Sequence, residues 1–298
     1  MGAFISDFVS AVTRVDIYIL GLIMGGIYAL VSMGLSMQYG VAKILNISHG
    51  EFIMIGAFLT WTLVTMAGLH PVLALVICCP LILAVGFVLH RTLFKRLMKI
   101  SRIAAIFESN AMLLAFGLMY IIQNIGSRLW GASPLGYTFL AYPVQIAGSP
   151  IPINRLFVLG FAVVISAAFY TFLMKTRLGK SIRASAQDPI AAGLMGIKID
   201  TIMAICFGIG TMLAGVAGSL FSMIQPSFTS MGMGYTVTAL IVVVLGGMGS
   251  VPGSLIGGVI LGVVGTIVTA IEPSLMVVVY YLIIMVLLIV RPKGLLGR

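Results

Sequence analysis

From Thr201 to Ile271 the chain carries no Asp, Glu, Lys or Arg. No soluble domain can be built from such a stretch, because its surface would have nothing charged to present to water. At about 20 residues per membrane-crossing helix, it has room for about three spans. The rest of the chain agrees, with 61% hydrophobic and 8% charged residues among 298, against about 45–50% and about 25% in soluble domains. Transmembrane β-strands would alternate over roughly ten residues, and the long runs of Leu, Ile, Val, Met and Gly do not. The sequence predicts an all-α polytopic membrane protein.

Uncharged runs place spans near 17–39, 52–68, 71–90, 103–125, 153–174, 201–223, 232–246, 254–271 and 274–290. This makes roughly eight or nine transmembrane helices, interrupted or re-entrant segments included, in a single membrane domain. The net charge of +10 does not point to nucleic acid, since no polar domain exists to present it. Most basic residues fall in three patches instead, at 91–102, 175–198 and 291–298. Two and then four spans separate them, so all three can face the cytoplasm under the positive-inside rule, with the N-terminus outside. Asp7, Arg14 and Asp16 precede the first apolar run, so the sequence predicts a retained first helix rather than a cleaved signal. Cys78, Cys79 and Cys206 lie inside apolar runs without metal-binding spacing and read as packing residues. No metal or cofactor is expected.

Two interruptions stand out. One is Asn46-Ile-Ser48-His49-Gly50-Glu51, the other Gly246-Gly247-Met-Gly249-Ser250-Val-Pro252-Gly253. Broken helices expose backbone polar groups, and Gly/Pro breaks in both halves of a membrane chain point to a transport site. The first break favours that reading, because a simple turn has no need of Asn, His and Glu together. The second reads equally well as pathway or as a tight turn. Glu51 can bind a substrate's amine, or it can stabilise the N-terminus of the following helix. Glu108, two residues before Asn110, is the other candidate intramembrane acid; alternatively it pairs with Arg102 near the cytoplasmic surface. Gln123 and Asn124 fall at the outer end of their span, and His70 and His90 at interfaces. The outer loop 126–152 carries Tyr137, Phe139 and Tyr142 as interface anchors. No Ser-His-Asp set or carboxylate pair assembles, and no segment is polar enough for a nucleotide-binding fold, so ATP would have to be bound by another chain.

The loop 175–198 has a basic first part containing Arg177, Gly179, Lys180 and Arg183. An Asp188-Pro189 helix start follows, then Ala191, Ala192, Leu194, Met195, Gly196 and Ile197. Its apolar residues predict a knob for a cytoplasmic protein partner; the alternative is a helix in the headgroup layer.

These motifs together resemble the transmembrane permease of branched-chain amino acid ABC importers, the LivH type, from about residue 17 to 297. Asn46-Ile47-Ser48-His49-Gly50-Glu51 is similar to the family's Asn-Phe-Ala-His-Gly-Glu. Gly179–Ile197 resembles its cytoplasmic loop, with Ala191-Ala192-x-x-x-Gly196 like the coupling helix of ABC importers. Gly246–Gly253 resembles its Gly-rich second break, and Arg291-Pro-Lys-Gly294-Leu-Leu-Gly297 its ending. The resemblance implies a heterodimer with a second related permease, two cytoplasmic ATP-binding subunits that the 177–197 element couples to transport, and a periplasmic solute-binding protein, all around an inner-membrane chain. It departs at Ile47-Ser48, and at Gly265, where family members often carry Glu; related systems carry urea, amides or aromatic acids. The competing class is a self-sufficient proton-coupled secondary transporter or channel working through Glu51 or Glu108. A purely structural scaffold leaves both polar breaks unexplained.

Overall fold

The computed structural model describes residues 14–101, 103–146 and 148–297. Asp7, Arg102 and Arg298, which enter the sequence reading, lie outside the described residues, and so does the proposed Glu108–Arg102 pair. Helix α1 (Val15–Ala42) is followed by the shorter α2 (His49–Thr65) and by α3 (Pro71–Leu89). A π-turn at His90–Phe94 joins α3 to α4 (Lys95–Ile100), and the three pieces form one rod. Then come α5 (Ala104–Trp130), a hairpin of β1 (Pro143–Ile146) and β2 (Ser149–Pro152), and α6 (Ile153–Lys175). The hairpin is antiparallel, with Pro143 opposite Pro152. Two small helices, α7 (Arg177–Gln187) and α8 (Pro189–Leu194), precede α9 (Ile199–Ser222), α10 (Met231–Gly246), α11 (Val251–Ile271) and α12 (Met276–Val290). Among the described residues, 7 helices are long and apolar enough to cross a membrane, α12 being counted with the 3-10 turn Pro273–Leu275 that leads into it, while α2 and α10 have 17 and 16 residues.

Helices α1 and α9 form the centre, with most of each apolar window buried, whereas α12 is almost wholly outside. Glycines let the central backbones touch. A Cβ on Gly21 would meet the Val263 Cα at 2.7 Å, one on Gly25 the Val259 Cα at 2.9 Å, and one on Gly258 the Ala29 Cα at 2.6 Å. Gly21-x-x-x-Gly25 and Gly258-x-x-x-Gly262 are thus paired small-residue seams, the arrangement that replaces hydrophobic driving force between helices in lipid. On the other side of α1, Gly34 faces the Gly210 carbonyl and Gln38 donates to the Phe207 carbonyl at 2.9 Å, so α1 and α9 run antiparallel.

The two halves repeat each other upside down. In one, α1 is followed by a break, the short α2 and then α3; in the other, α9 is followed by a break, the short α10 and then α11. Contacts correspond as well: α1 packs on α11 and α10, and α9 on α3 and α2. The helix starts even share a pattern, Ser48-His-Gly50 opening α2 and Ser230-Met-Gly232 opening α10.

The three basic patches come to one end. There a cleft of about 320 Å³ is lined by Lys43 at the end of α1, Met98 of α4, Glu108 of α5, and Ser185 and Pro189 of the 175–198 segment. Lys95 bonds Asp200 across 2.8 Å, tying α4 to the start of α9. The tail beyond α12 docks at this end too, since Gly294 and Gly297 pack on Gly247 and a Cβ on Gly249 would meet Gly40. The start of α1 and the β1–β2 hairpin lie at the opposite end.

Candidate functional site

The first break does not stay at the surface. After α1 closes on Lys43, whose left-handed backbone donates to the Tyr39 carbonyl, the chain turns back along α1. Asn46 donates to the Gln38 side chain at 3.4 Å, and the His49 Nε2 lies 3.0 Å from the Val31 carbonyl. At 1.5 Å per residue, Val31 is about 16 Å back from the end of α1. Helix α2 therefore begins in the middle of the bundle.

Helix α10 begins at the same depth. The Gly50 amide donates to the Thr236 hydroxyl at 2.8 Å, and that hydroxyl lies 3.1 Å from the Ile47 carbonyl. A Cβ on Gly232 would collide with the Glu51 carboxyl group. Two helix N-termini, each the positive end of its dipole, thus meet beside one carboxylate. Asn46, Ser48, His49 and Glu51 have no exposed surface, and the Ser48 hydroxyl donates to the Asn46 side-chain Oδ1 at 2.7 Å. Neither Glu51 carboxyl oxygen nor the His49 Nδ1 has a hydrogen-bond partner among the described residues. The arrangement can offer the unpartnered Glu51 carboxyl group, with two helix dipoles beside it, to a small polar solute. Among the described residues no group of His, Cys, Asp or Glu could hold a metal ion.

The remaining candidates lie elsewhere. Glu108 and Asn110 are exposed on α5, and Glu108 lines the cleft at the basic end rather than the centre. Gly246, Gly247, Gly249 and Ser250 form a turn at the basic end. There Gly247 and Gly249 adopt φ of 100° and 85°, Ser250 caps α11 by accepting from the Gly253 amide at 3.2 Å, and the tail covers the turn. Leu295 and Leu296 donate their amides to the last carbonyls of α10, on Leu245 and Gly246, at 2.9 and 3.1 Å. The structure does not bring this turn to the first break. The interruption that does meet it is 223–230, which the sequence reading passed over. Thr236, Gly232 and Gln38 were missed with it; the repeated Ser-x-Gly spacing before an apolar run was the available signal. Gly265 packs against the Tyr280 hydroxyl between α11 and α12, and that hydroxyl donates to the Leu261 carbonyl at 2.9 Å.

His90, expected at an interface, is buried against Phe94 and Phe207, because the π-turn rotates it inward. Gln123 and Asn124 are not at the end of their helix, since α5 continues to Trp130. Above the start of α10, at the outer end, a second cleft of about 440 Å³ is lined by Tyr137, Phe139, Asn154, Gln225 and Pro226.

The 175–198 segment forms two helices. Arg177, Gly179, Lys180 and Arg183 lie on α7, capped by the Thr176 hydroxyl, which accepts from Gly179 at 3.0 Å. Gly179 is buried against the Leu173 and Phe172 carbonyls, and the Arg183 guanidinium reaches the Met174 carbonyl at 3.4 Å. Asp188 caps α8, accepting from the Ile190 and Ala191 amides at 2.9 and 3.0 Å, and Gly196 ends it at φ 85°. Ala192 faces inward, Ala191 and Gly193 are exposed and Ile197 is half-buried, while Ile190, Leu194 and Met195 project with 77%, 85% and 84% exposure.

A bundle of antiparallel membrane helices with two interrupted helices meeting at its centre is the architecture of a multi-pass transport protein of the inner membrane. The chain belongs to the family described as branched-chain amino acid transport system / permease component, whose model matches residues 17–289. It is 32% identical to the high-affinity branched-chain amino acid transport system permease protein BraD of Pseudomonas aeruginosa, over 93% of this chain and 94% of that one. It is 30% identical, with the same coverage, to the LivH permease protein of Escherichia coli K12. A ribose import permease of E. coli, RbsC, is 36% identical over only 39% of the chain. No solved structure matches.

Proposed function

We propose that the chain is the membrane-spanning subunit of a binding-protein-dependent ABC importer for branched-chain amino acids or a closely related small amphoteric solute. Transport is by alternating access, and ATP is bound and hydrolysed on separate subunits. The observation that carries this reading is the meeting of the α2 and α10 N-termini beside Glu51, whose oxygens have no other partner. Glu51 binds the solute's ammonium group, and the positive dipole ends of α2 and α10 favour its carboxylate nearby. Substrate arrives from a periplasmic solute-binding protein through the outer cleft beside Tyr137 and Asn154.

A second related permease completes the pathway, and two cytoplasmic ATPases engage α7 and α8. The projecting Ile190, Leu194 and Met195 support a protein partner there. The Gly246–Ser250 turn acts in this scheme as an anchor for α10. Urea, simple amides and aromatic acids remain the alternative cargo within the same family. Glu51 supports an amine-bearing solute over these.

The test is uptake by proteoliposomes containing the complete set of chains, against a panel of branched-chain and aromatic amino acids, amides and urea. Uptake that requires ATP and the binding protein is expected. Uptake by this chain alone, driven by a pH gradient, would sink the reading in favour of a secondary transporter.

A further inference from the structure

Helix α9 begins directly after the 175–198 segment, and one buried side chain carries its position into the first break. Gln38 of α1 has no exposed surface, and an amide placed there is stable only with its donors and its acceptor satisfied. Its Nε2 donates to the Phe207 carbonyl of α9 at 2.9 Å, and its Oε1 accepts from the Asn46 Nδ2 at 3.4 Å. The Asn46 Oδ1 accepts from the Ser48 hydroxyl at 2.7 Å, and the Ser48 carbonyl accepts from the Glu51 amide at 3.1 Å. An unbroken series of hydrogen bonds thus runs from α9 to the first turn of α2. Among the described residues, no hydrogen bond joins α9 directly to residues 43–51.

The sequence makes room for this side chain. A Cβ on Gly210 would meet the Gln38 Nε2 at 2.6 Å and its Cδ at 2.8 Å, so the amide lies against bare α9 backbone. Phe207 is held from its other side by the π-turn, its ring packing on Phe94 at 4.9 Å and on His90 at 5.8 Å. Below it, Lys95 and Asp200 join the same rod to the start of α9 across 2.8 Å. From Asp200 to Phe207 the helix contains neither Gly nor Pro, and this stretch is about 10 Å long. It has none of the features that let a helix bend, so its two ends move together.

From these contacts we infer that Gln38 is the positioning residue through which movement of α9 reaches the solute site. The inference rests on the importer proposed above, in which α7 and α8 receive the ATPases. The Ile197 amide closes the end of α8 on the Ala192 carbonyl at 3.1 Å, and α9 starts two residues later at Ile199. A displacement of α8 is therefore passed to α9 with little slack between them. Gln38 joins α9 to the break because one planar amide carries both a donor and an acceptor. It acts through Asn46 and Ser48 rather than on the solute, setting where the N-terminus of α2 and Glu51 stand relative to α9.

The test compares Gln38→Met with Thr211→Val in the complete importer in proteoliposomes. The first keeps the length of the side chain and removes both hydrogen bonds. The Thr211 hydroxyl bonds the Ile82 carbonyl at 3.4 Å and the Gly208 carbonyl at 2.9 Å, so the second takes a buried hydrogen bond from α9 without touching the break. Gln38→Met is expected to move about ten-fold less solute per ATP hydrolysed, with abundance and ATPase rate within about two-fold of the unaltered importer. Thr211→Val is expected to keep the normal ratio. A normal ratio in Gln38→Met overturns the inference, and so does an equal loss in both variants, which marks a purely structural role. A second arm needs no substitution. In the unaltered importer trapped with ATP and vanadate, amide hydrogen exchange is expected to change about three-fold or more in both 199–207 and 43–51; a change in the first without the second overturns the inference. The two readings fail separately. ATP-driven uptake with a normal ratio in Gln38→Met removes only the role of Gln38, whereas pH-driven uptake by the chain alone removes the importer.

Discussion

Glu51 occupies its place because Gly232 has no side chain there, and because α2 starts deep enough to carry its first turn to the bundle centre. Removing the charge while keeping the shape is therefore informative. Glu51→Gln is expected to raise the KM for an amino-acid substrate about 10- to 100-fold, the loss of one charge-assisted hydrogen bond, with chain abundance unchanged on immunoblots. Unchanged KM in the purified importer would take Glu51 out of the binding site. Gly232→Val is expected to abolish uptake, because its branched side chain needs the volume of the carboxyl group. The sequence pointed to Asn46, Ser48, His49 and Glu51 by residue type alone, since such groups are costly inside a membrane. Only the Ser-x-Gly spacing hinted at Gly232, and residue type gave no sign of Thr236, whose importance lies in Gly50, 186 residues away.

Among the elements, α8 and the tail make contrasting demands. Helix α8 is one capped turn and a half carrying Leu194 and Met195 outward, stopped by Gly196 in a left-handed conformation. Met195→Glu is expected to leave insertion intact while uptake falls and ATPase activity loses its dependence on substrate-loaded binding protein. Gly196→Glu adds backbone strain of about 1–2 kcal/mol, so it should show the same uncoupling with lower abundance. Uptake at the normal level in both would remove α8 from the coupling contact. The tail instead holds two carbonyls of α10. Truncation after Arg291 removes both hydrogen bonds, each worth about 0.5–1.5 kcal/mol net, and is expected to lower the Tm of the purified chain. The Asp-Pro start and Gly196 made α8 legible in advance, because caps and stops are local chemistry. The tail's role was not legible, because it depends on Gly247, Gly294 and Gly297 coming into backbone contact from distant positions.

At the scale of the whole molecule, sidedness follows from charge and the fold confirms the parity: all described residues of the three basic patches gather at one end. Cysteines introduced at Lys180 and at Val144 of the hairpin, in a background free of the native three, are expected to react with a membrane-impermeant maleimide from opposite sides of inside-out and right-side-out vesicles. Labelling from the same side would overturn the orientation. Hydropathy located nearly every helix, but it read the second interruption at 246–253, where glycines are dense, rather than at 223–230, where the inverted repeat puts it. Such symmetry relates directions in space, which a linear composition profile does not contain. The long separation between Gly50 and Thr236 also has a consequence for biogenesis. During synthesis at about 5–20 residues per second, α2 must wait on the order of 10 to 40 seconds for α10 to arrive. Through that interval the Gly50 amide and the Ile47 carbonyl lack the Thr236 hydroxyl, so the nascent first half must shelter a polar half-helix inside the membrane, or beside the insertion machinery, until the chain that completes it is made.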